Sequence, residues 1–200
     1  MSLKSVWAAD FETTTEKDFE IDGCVRVYLW HARNIVTGEE EMGFDVDSFL
    51  TFAAKKPTQI WFHNLKFDGN FVLWKILHDG WEMSDVQVRG KKTFKLIVTE
   101  EGMWMQLKLQ FGSHVCELRD SAKKFPGFSL EDIAKEFKIE GKSFLDTHKR
   151  RDLNYHATEE DIERVKGDTR ILAVAMHSLI FDARMTKLTM ASDAKNCYLF

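Results

Sequence analysis

Four carboxylates stand where a carboxylate is either convergent with another or expensive to place. Asp10 and Glu12 lie in "DFETTT". In a strand, residues two apart project from one face, about 6.6 Å apart at ~3.3 Å rise per residue, close enough to share a divalent cation. Solvated acids at a strand end are the plainer alternative. Asp68, in "WFHNLKFDGNF", follows a short apolar run and is placed to open a helix, where an ordinary N-cap is the plainer role and Asn64 an ordinary turn residue. Asp168 closes "EEDIERVKGD". It falls inside the helical stripe of Val165, Leu172, Ala175 and Leu179 rather than on the wet face. Its neighbour Gly167 costs a helix about 1 kcal/mol relative to alanine. A buried, unpaired carboxylate is unfavourable, so Asp168 calls for a metal, a cation or a proton. Arg164, one turn earlier on the same face, is the competing partner. As a set, the four acids suit two hard divalent cations with oxygen ligands. Such ions ~3.5–4 Å apart serve in-line phosphoryl chemistry.

The elements that must carry these groups are legible from periodicity and turn chemistry. "VWAADFE" alternates as a strand; "CVRVYLWHARN" is a second, and a turn near Gly38 leads to a third ending near Phe44. Asp45 or Asp47 caps a short helix. "TQIWFHN" reads as a buried strand and residues 68–81 as a helix. A hairpin turns at Glu101-Gly102, and "HVCELRD" is a further strand. Ser129 with Asp132, and Thr158 with Asp161, are capping-box pairs. The second pair opens one long helix over 159–185. Strands first, with helices between and after, predict a mixed α/β domain.

The bulk properties fit a single globular domain of 200 residues, with 44% hydrophobic residues and only 2 prolines. The net charge of −4 does not announce a nucleic-acid binder, although a cluster of catalytic acids would itself push the total that way. No apolar run reaches transmembrane length, and Asp10 comes too early for a signal-peptide core. Cys24, Cys116 and Cys197 lack paired spacing and read as reduced thiols of a cytoplasmic-type compartment. Phe67 and Phe71, four apart beside the acids, are either core or a platform for terminal bases. Lys123-Lys124 and "HKRRD" (148–152) are either solvated faces or a track for a nucleic-acid backbone. The six tryptophans read as core, with Trp61 the one placed to reach a cleft. The apolar ending "CYLF" carries no stop signal and reads as a chain that continues.

"DFETTT", "FHNLKFDG", "DSAKKFP", the helix through "KGD" and the late "RMTKLTMASDA" resemble the N-terminal 3′–5′ exonuclease domain of protein-primed family B DNA polymerases of the phi29-like phage group. That resemblance covers nearly the whole chain. It implies a ribonuclease-H-like mixed sheet flanked by helices, of the four-acid exonuclease class. Residues 1–185 would be the exonuclease domain and 186–200 the start of the connection to a polymerase domain. By resemblance, Asp10, Glu12, Asp68 and Asp168 would hold two divalent cations, Mg2+ or Mn2+. Thr13, His63, Asn64, Phe67, Phe71 and Ser121 would touch a single-stranded DNA 3′ end, and Lys142 would assist near the scissile phosphate. A terminal protein primer is a further implied partner, and a bacterial host or prophage the implied setting. One position departs from the family: Arg164 replaces the tyrosine four residues before the last aspartate. Its guanidinium would either bind the scissile phosphate or pair with Asp168 and leave a weakened site that binds without cutting.

Overall fold

The computed structural model describes residues 5–16, 25–86, 90–139 and 151–198. Its eight strands are β1 (Val6–Thr13), β2 (Val27–Asn34), β3 (Glu40–Gly43), β4 (Gln59–Phe62), β5 (Glu82–Met83), β6 (Lys92–Val98), β7 (Trp104–Phe111) and β8 (His114–Asp120). They form one sheet in the order β3-β2-β1-β4-β8-β7-β6-β5. The central pairs β1–β4 and β4–β8 are parallel. The β1–β2, β2–β3, β6–β7 and β7–β8 pairs are antiparallel. The helices are α1 (Val46–Ala53), α2 (Leu65–His78), α3 (Leu130–Glu136), α4 (Glu159–His177) and α5 (Met190–Tyr198).

The side-chain alternation of β1 divides the core. Trp7, Ala9 and Phe11 pack with Phe49 and Phe52 of α1 and Val72 and Ile76 of α2. Val6 and Ala8 face the other way, toward Ile133 of α3 and Ile171, Leu172 and Ala175 of α4. Asp10 and Glu12 continue that second set, so strand parity aims both acids at the α4 side. Both expected capping boxes form. Asp45, not Asp47, caps α1 by accepting the Ser48 N–H. The hairpin turns through Gly102 as expected.

Two helix boundaries differ from the sequence expectation. The helix expected over 68–81 runs from Leu65 to His78. Asn64 takes a left-handed conformation (φ 68°, ψ 59°) and so makes the reversal after β4 in one residue; asparagine tolerates that region better than most. Asp68 therefore lies inside the first turn instead of capping it. The helix expected over 159–185 ends at His177 and continues as a π-helical turn, Ser178–Asp182. Arg184 then turns left-handed (φ 57°) and the Met185 N–H closes on the Leu179 carbonyl at 2.8 Å, a helix-terminating pattern.

Gly69, beside Asp68, allows a close approach. A Cβ there would come within 2.8 Å of the Trp104 ring. Five of the six tryptophans are buried, Trp61 completely and away from the cleft described below, while Trp74 stacks on His78. Cys116 is a buried free thiol. Among the described residues, no helix is long and apolar enough to cross a membrane.

Candidate functional site

A cleft of about 390 Å³ opens at the C-terminal end of β1, between the start of α2 and the middle of α4. Asp10, Glu12, Asp68 and Asp168 all line it. Carboxylate oxygens of Asp10, Glu12 and Asp168 lie within 4.8 Å of one another. Three carboxylates at that separation supply the hard oxygen donors that a hard divalent cation takes. Their mutual repulsion is the cost of the arrangement. Burial pushes the Asp10 carboxyl well above its ordinary value of 3.8, and the charges of Asp68, Asp168 and Glu12 push it further. Burial also raises Glu12, while the guanidiniums of Arg164 and Arg151 pull it back.

Asp68, whose charge acts on Asp10 more strongly than that of any other acid, is held by the backbone. β4 covers only Val6–Ala8 of β1, which leaves the backbone of Phe11 without a strand neighbour on that edge. Asp68 Oδ1 fills the gap by accepting the Phe11 N–H at 3.1 Å. Burial raises its carboxyl too, against this hydrogen bond, which favours the ionised form.

Among the described residues, Arg164 pairs with an acid on another element, not one expected from helix spacing alone. Its Nε lies 3.3 Å from Glu12 Oε1, across the gap between α4 and β1.

The residues expected at a DNA end divide into cleft and support. Thr13, His63, Asn64 and Phe67 line the cleft. Ser121 is fully buried behind His63. The His63 Nε2–H donates to the Phe128 carbonyl (2.9 Å), and in the neutral ring Nδ1 accepts from the Ser121 hydroxyl (3.0 Å). Phe71 packs on the core beneath Phe67, edge to face at 5.5 Å. Lys142 lies outside the described residues, as do His148 to Arg150 of the basic run. Lys124 is no part of a surface track. It is fully buried, donates to the Met185 carbonyl (3.2 Å) and is ion-paired with Asp193 of α5.

Two side chains that help to build this site were missed in the sequence. Arg151 reads there as one more charge of a basic run, yet it is buried and lines the cleft. It pairs with Asp161 (3.1 Å) and lies over the rings of Tyr28 and Tyr155. Burial opposes ionisation of Asp161, but hydrogen bonds from the Thr158 backbone, Tyr155, the Thr158 hydroxyl and Arg151 hold its carboxyl far below the usual range. Asp120 is the second. At the end of β8 it accepts the backbone N–H groups of Asn64 (3.1 Å) and Ala122 (3.0 Å), and so fixes the left-handed turn at the cleft rim. No local signal marks either residue.

No protein-family profile matches the chain. The DNA polymerase of Bacillus phage phi29 is 31% identical over 199 residues, covering 96% of this chain and 33% of that protein. The DNA polymerase of Streptococcus phage Cp-1 is 28% identical over 201 residues, covering 94% of this chain and 33% of that protein. The solved structure of phi29 DNA polymerase complexed with single-stranded DNA matches with a TM-score of 0.83 at 28% identity, over 96% of this chain and 34% of that one. The family B DNA polymerase of the archaeon Pyrobaculum calidifontis matches in fold alone, with a TM-score of 0.58 at 18% identity over 88% of this chain and 24% of that one. The chain spans about a third of the length of the curated relatives it matches. The mixed α/β fold is the expected ribonuclease-H-like one.

Proposed function

The chain is homologous to the N-terminal third of the phi29-like DNA polymerases, and from that premise we propose that it is a divalent-cation-dependent 3′–5′ exonuclease domain. It removes nucleotides from single-stranded DNA 3′ ends as 5′-monophosphates, the proofreading activity of a replicative polymerase. The observation that carries this reading is the convergence of Asp10, Glu12 and Asp168 within 4.8 Å, in a cleft that also holds Asp68 and an exposed Phe67. A bound divalent cation would supply Lewis-acid polarisation of the phosphodiester and of the attacking water. Asp10, Glu12 and Asp168 would hold it, with Asp68 braced on the Phe11 N–H beside them. The Phe67 ring would stack on a terminal base, and Thr13, His63 and Asn64 would orient the terminal sugar and phosphate. Hydrolysis forms a bond from the water oxygen to phosphorus and breaks the bond from phosphorus to the 3′ oxygen, which leaves protonated. The phi29 polymerase solved with single-stranded DNA supports that ligand class.

A second reading is favoured by the Arg164–Glu12 contact. A site whose Glu12 is held by arginine binds a DNA end or a terminal-protein primer without cutting it. Digestion of 3′-labelled and 5′-labelled single-stranded DNA with Mn2+ separates the two. Stepwise shortening from the 3′ end, abolished in Asp10→Ala and in Asp168→Ala, supports the exonuclease. Tight binding with no products, unaffected by chelation, supports the binding module and overturns the exonuclease.

A further inference from the structure

We propose that Arg151 is a positioning residue that sets the distance between Glu12 on β1 and Asp168 on α4, two of the acids that would hold a cation. This rests on the metal-site reading above. The second half of α4 packs on Val6 and Ala8 through Ile171, Leu172 and Ala175. Toward its first half the buried apolar cluster shrinks to Tyr28, Leu29 and Val165. The end of β1 is thinly held as well. β4 pairs with β1 no further than Ala8, and the register with β2 shifts between Glu12 and Thr13.

Arg151 spans this gap with both halves of the residue. Its backbone takes the chain that leaves β1. The Thr15 N–H donates to the Arg151 carbonyl (2.8 Å), and the Arg151 N–H donates to the Thr15 hydroxyl oxygen (2.8 Å). Its side chain takes the first turn of α4. Nη2–H donates to Asp161 Oδ1 at 3.1 Å, and the guanidinium lies 5.9 Å and 5.7 Å from the ring centroids of Tyr28 and Tyr155. The Tyr155 hydroxyl (2.7 Å) and the Thr158 N–H (3.0 Å) hold Asp161 in turn. Arg151 and Asp161 are both buried and cancel each other's charge, so what the pair gives the cleft is geometry. A planar guanidinium clasped by a carboxylate and two rings fixes both spacing and orientation.

The test is Mn2+ affinity, read from the electron paramagnetic resonance signal of free Mn2+, on the metal-stripped chain and on three variants. These are Arg151→Lys, the double variant Arg151→Met with Asp161→Asn, and Leu50→Ala. The double variant removes one charge of each sign, so net charge does not change. Leu50→Ala loosens the packing of α1, which carries no cleft residue, and thermal unfolding ranks the stability of all the variants. The double variant should bind Mn2+ about tenfold more weakly than the parent chain, the scale of effects from groups surrounding metal ligands. Arg151→Lys, which keeps the charge but not the fork, should lose several-fold. Leu50→Ala should bind as the parent chain does. If the double variant does not fold, Arg151→Lys alone decides. Unchanged affinity in the double variant or in Arg151→Lys, or an equal loss in Leu50→Ala, would overturn the positioning role and leave the metal-site reading standing. No Mn2+ bound by the parent chain would overturn both.

Discussion

The carboxylate of Asp68 accepts the backbone N–H of Phe11 at 3.1 Å, which ties the helix carrying one acid to the strand carrying two others. The bond separates two substitutions that remove the same charge. Asp68→Asn keeps an oxygen acceptor for the N–H and removes repulsion within the acid cluster. Asp68→Ala orphans a buried N–H, which costs about 1–3 kcal/mol. In chelator, urea denaturation should find Asp68→Asn at least as stable as the parent chain, and Asp68→Ala less stable than Asp68→Asn by about that amount. Equal stability of the two variants would mean that the bond does not brace the site.

Phe67 and Phe71 touch edge to face but belong to different environments. Phe67 is 47% exposed at the cleft, whereas Phe71 packs on the core. Phe67→Ala should weaken binding of a short single-stranded oligonucleotide by about 1–3 kcal/mol, the worth of one base stacked on an aromatic ring. Its stability should change by no more than about 0.5 kcal/mol. Phe71→Ala should do the reverse, losing about 2 kcal/mol of stability to the cavity it leaves. Fluorescence anisotropy with Ca2+ in place of Mg2+ reads the first effect and urea denaturation the second. Undiminished affinity in Phe67→Ala would remove Phe67 from the DNA path.

These contrasts show where sequence reading stops. The alternation that aims Asp10 and Glu12 to one side, the Thr158–Asp161 and Ser129–Asp132 boxes and the turn at Gly102 are local, set by residues within one or two turns of each other. They were therefore legible before any tertiary contact was known. Asp168 was legible as well, because a carboxylate in an apolar stripe is a local contradiction. Arg164 was half legible. Its place in the site follows from spacing, but its contact with Glu12 depends on how α4 lies across β1. Arg151 was not legible at all. Among the charges of "HKRRD", what distinguishes it is a cage of Tyr28, Tyr155 and Asp161 contributed by other elements.

His31 lies under α4, where its Nδ1–H donates to Thr169 Oγ1 at 2.7 Å, and that hydroxyl in turn donates a hydrogen bond to the Val165 carbonyl at 3.0 Å. Among the described residues, Nε2 is buried without a hydrogen-bond partner, 3.8 Å from a Glu40 carboxylate oxygen. Burial lowers the ring from 6.5 to about 4; Glu40 opposes that shift, while Lys166 and Arg33 add to it. Between those values the unfolded chain binds more protons than the folded one. The stability tied to neutral His31 is therefore complete above about pH 6.5 and is lost as pH falls toward about 4, up to about 3 kcal/mol in all. Asp10 and Asp68, whose carboxyls are raised, act with the opposite sign above the ordinary carboxylate range. Comparison with His31→Gln cancels their part. Urea denaturation at about pH 7 and about pH 4.5 should find a smaller acid loss in the variant than in the parent chain. Equal losses would mean that His31 does not titrate in this window.

Lys124 and Asp193 form a buried pair between the short 3-10 turn after β8 and α5, and the other Asp193 oxygen accepts the Lys187 N–H at 2.9 Å. Burial lowers the Lys124 ammonium and Asp193 supports it. Removing one member of such a pair strands a charge and typically costs about 3–5 kcal/mol, whereas replacing both by apolar side chains of similar volume is often neutral or stabilising. Asp193→Ala should therefore destabilise the chain by several kcal/mol, and Lys124→Met with Asp193→Leu should restore most of that loss in urea denaturation. Lys124 lies three residues after Ser121, which supports His63 at the cleft. The single variant should accordingly weaken oligonucleotide binding as well, and the double variant should recover it. A loss below about 1 kcal/mol in Asp193→Ala would mean that α5 is not fastened through this pair. A double variant as unstable as the single one would place the loss in packing instead of charge.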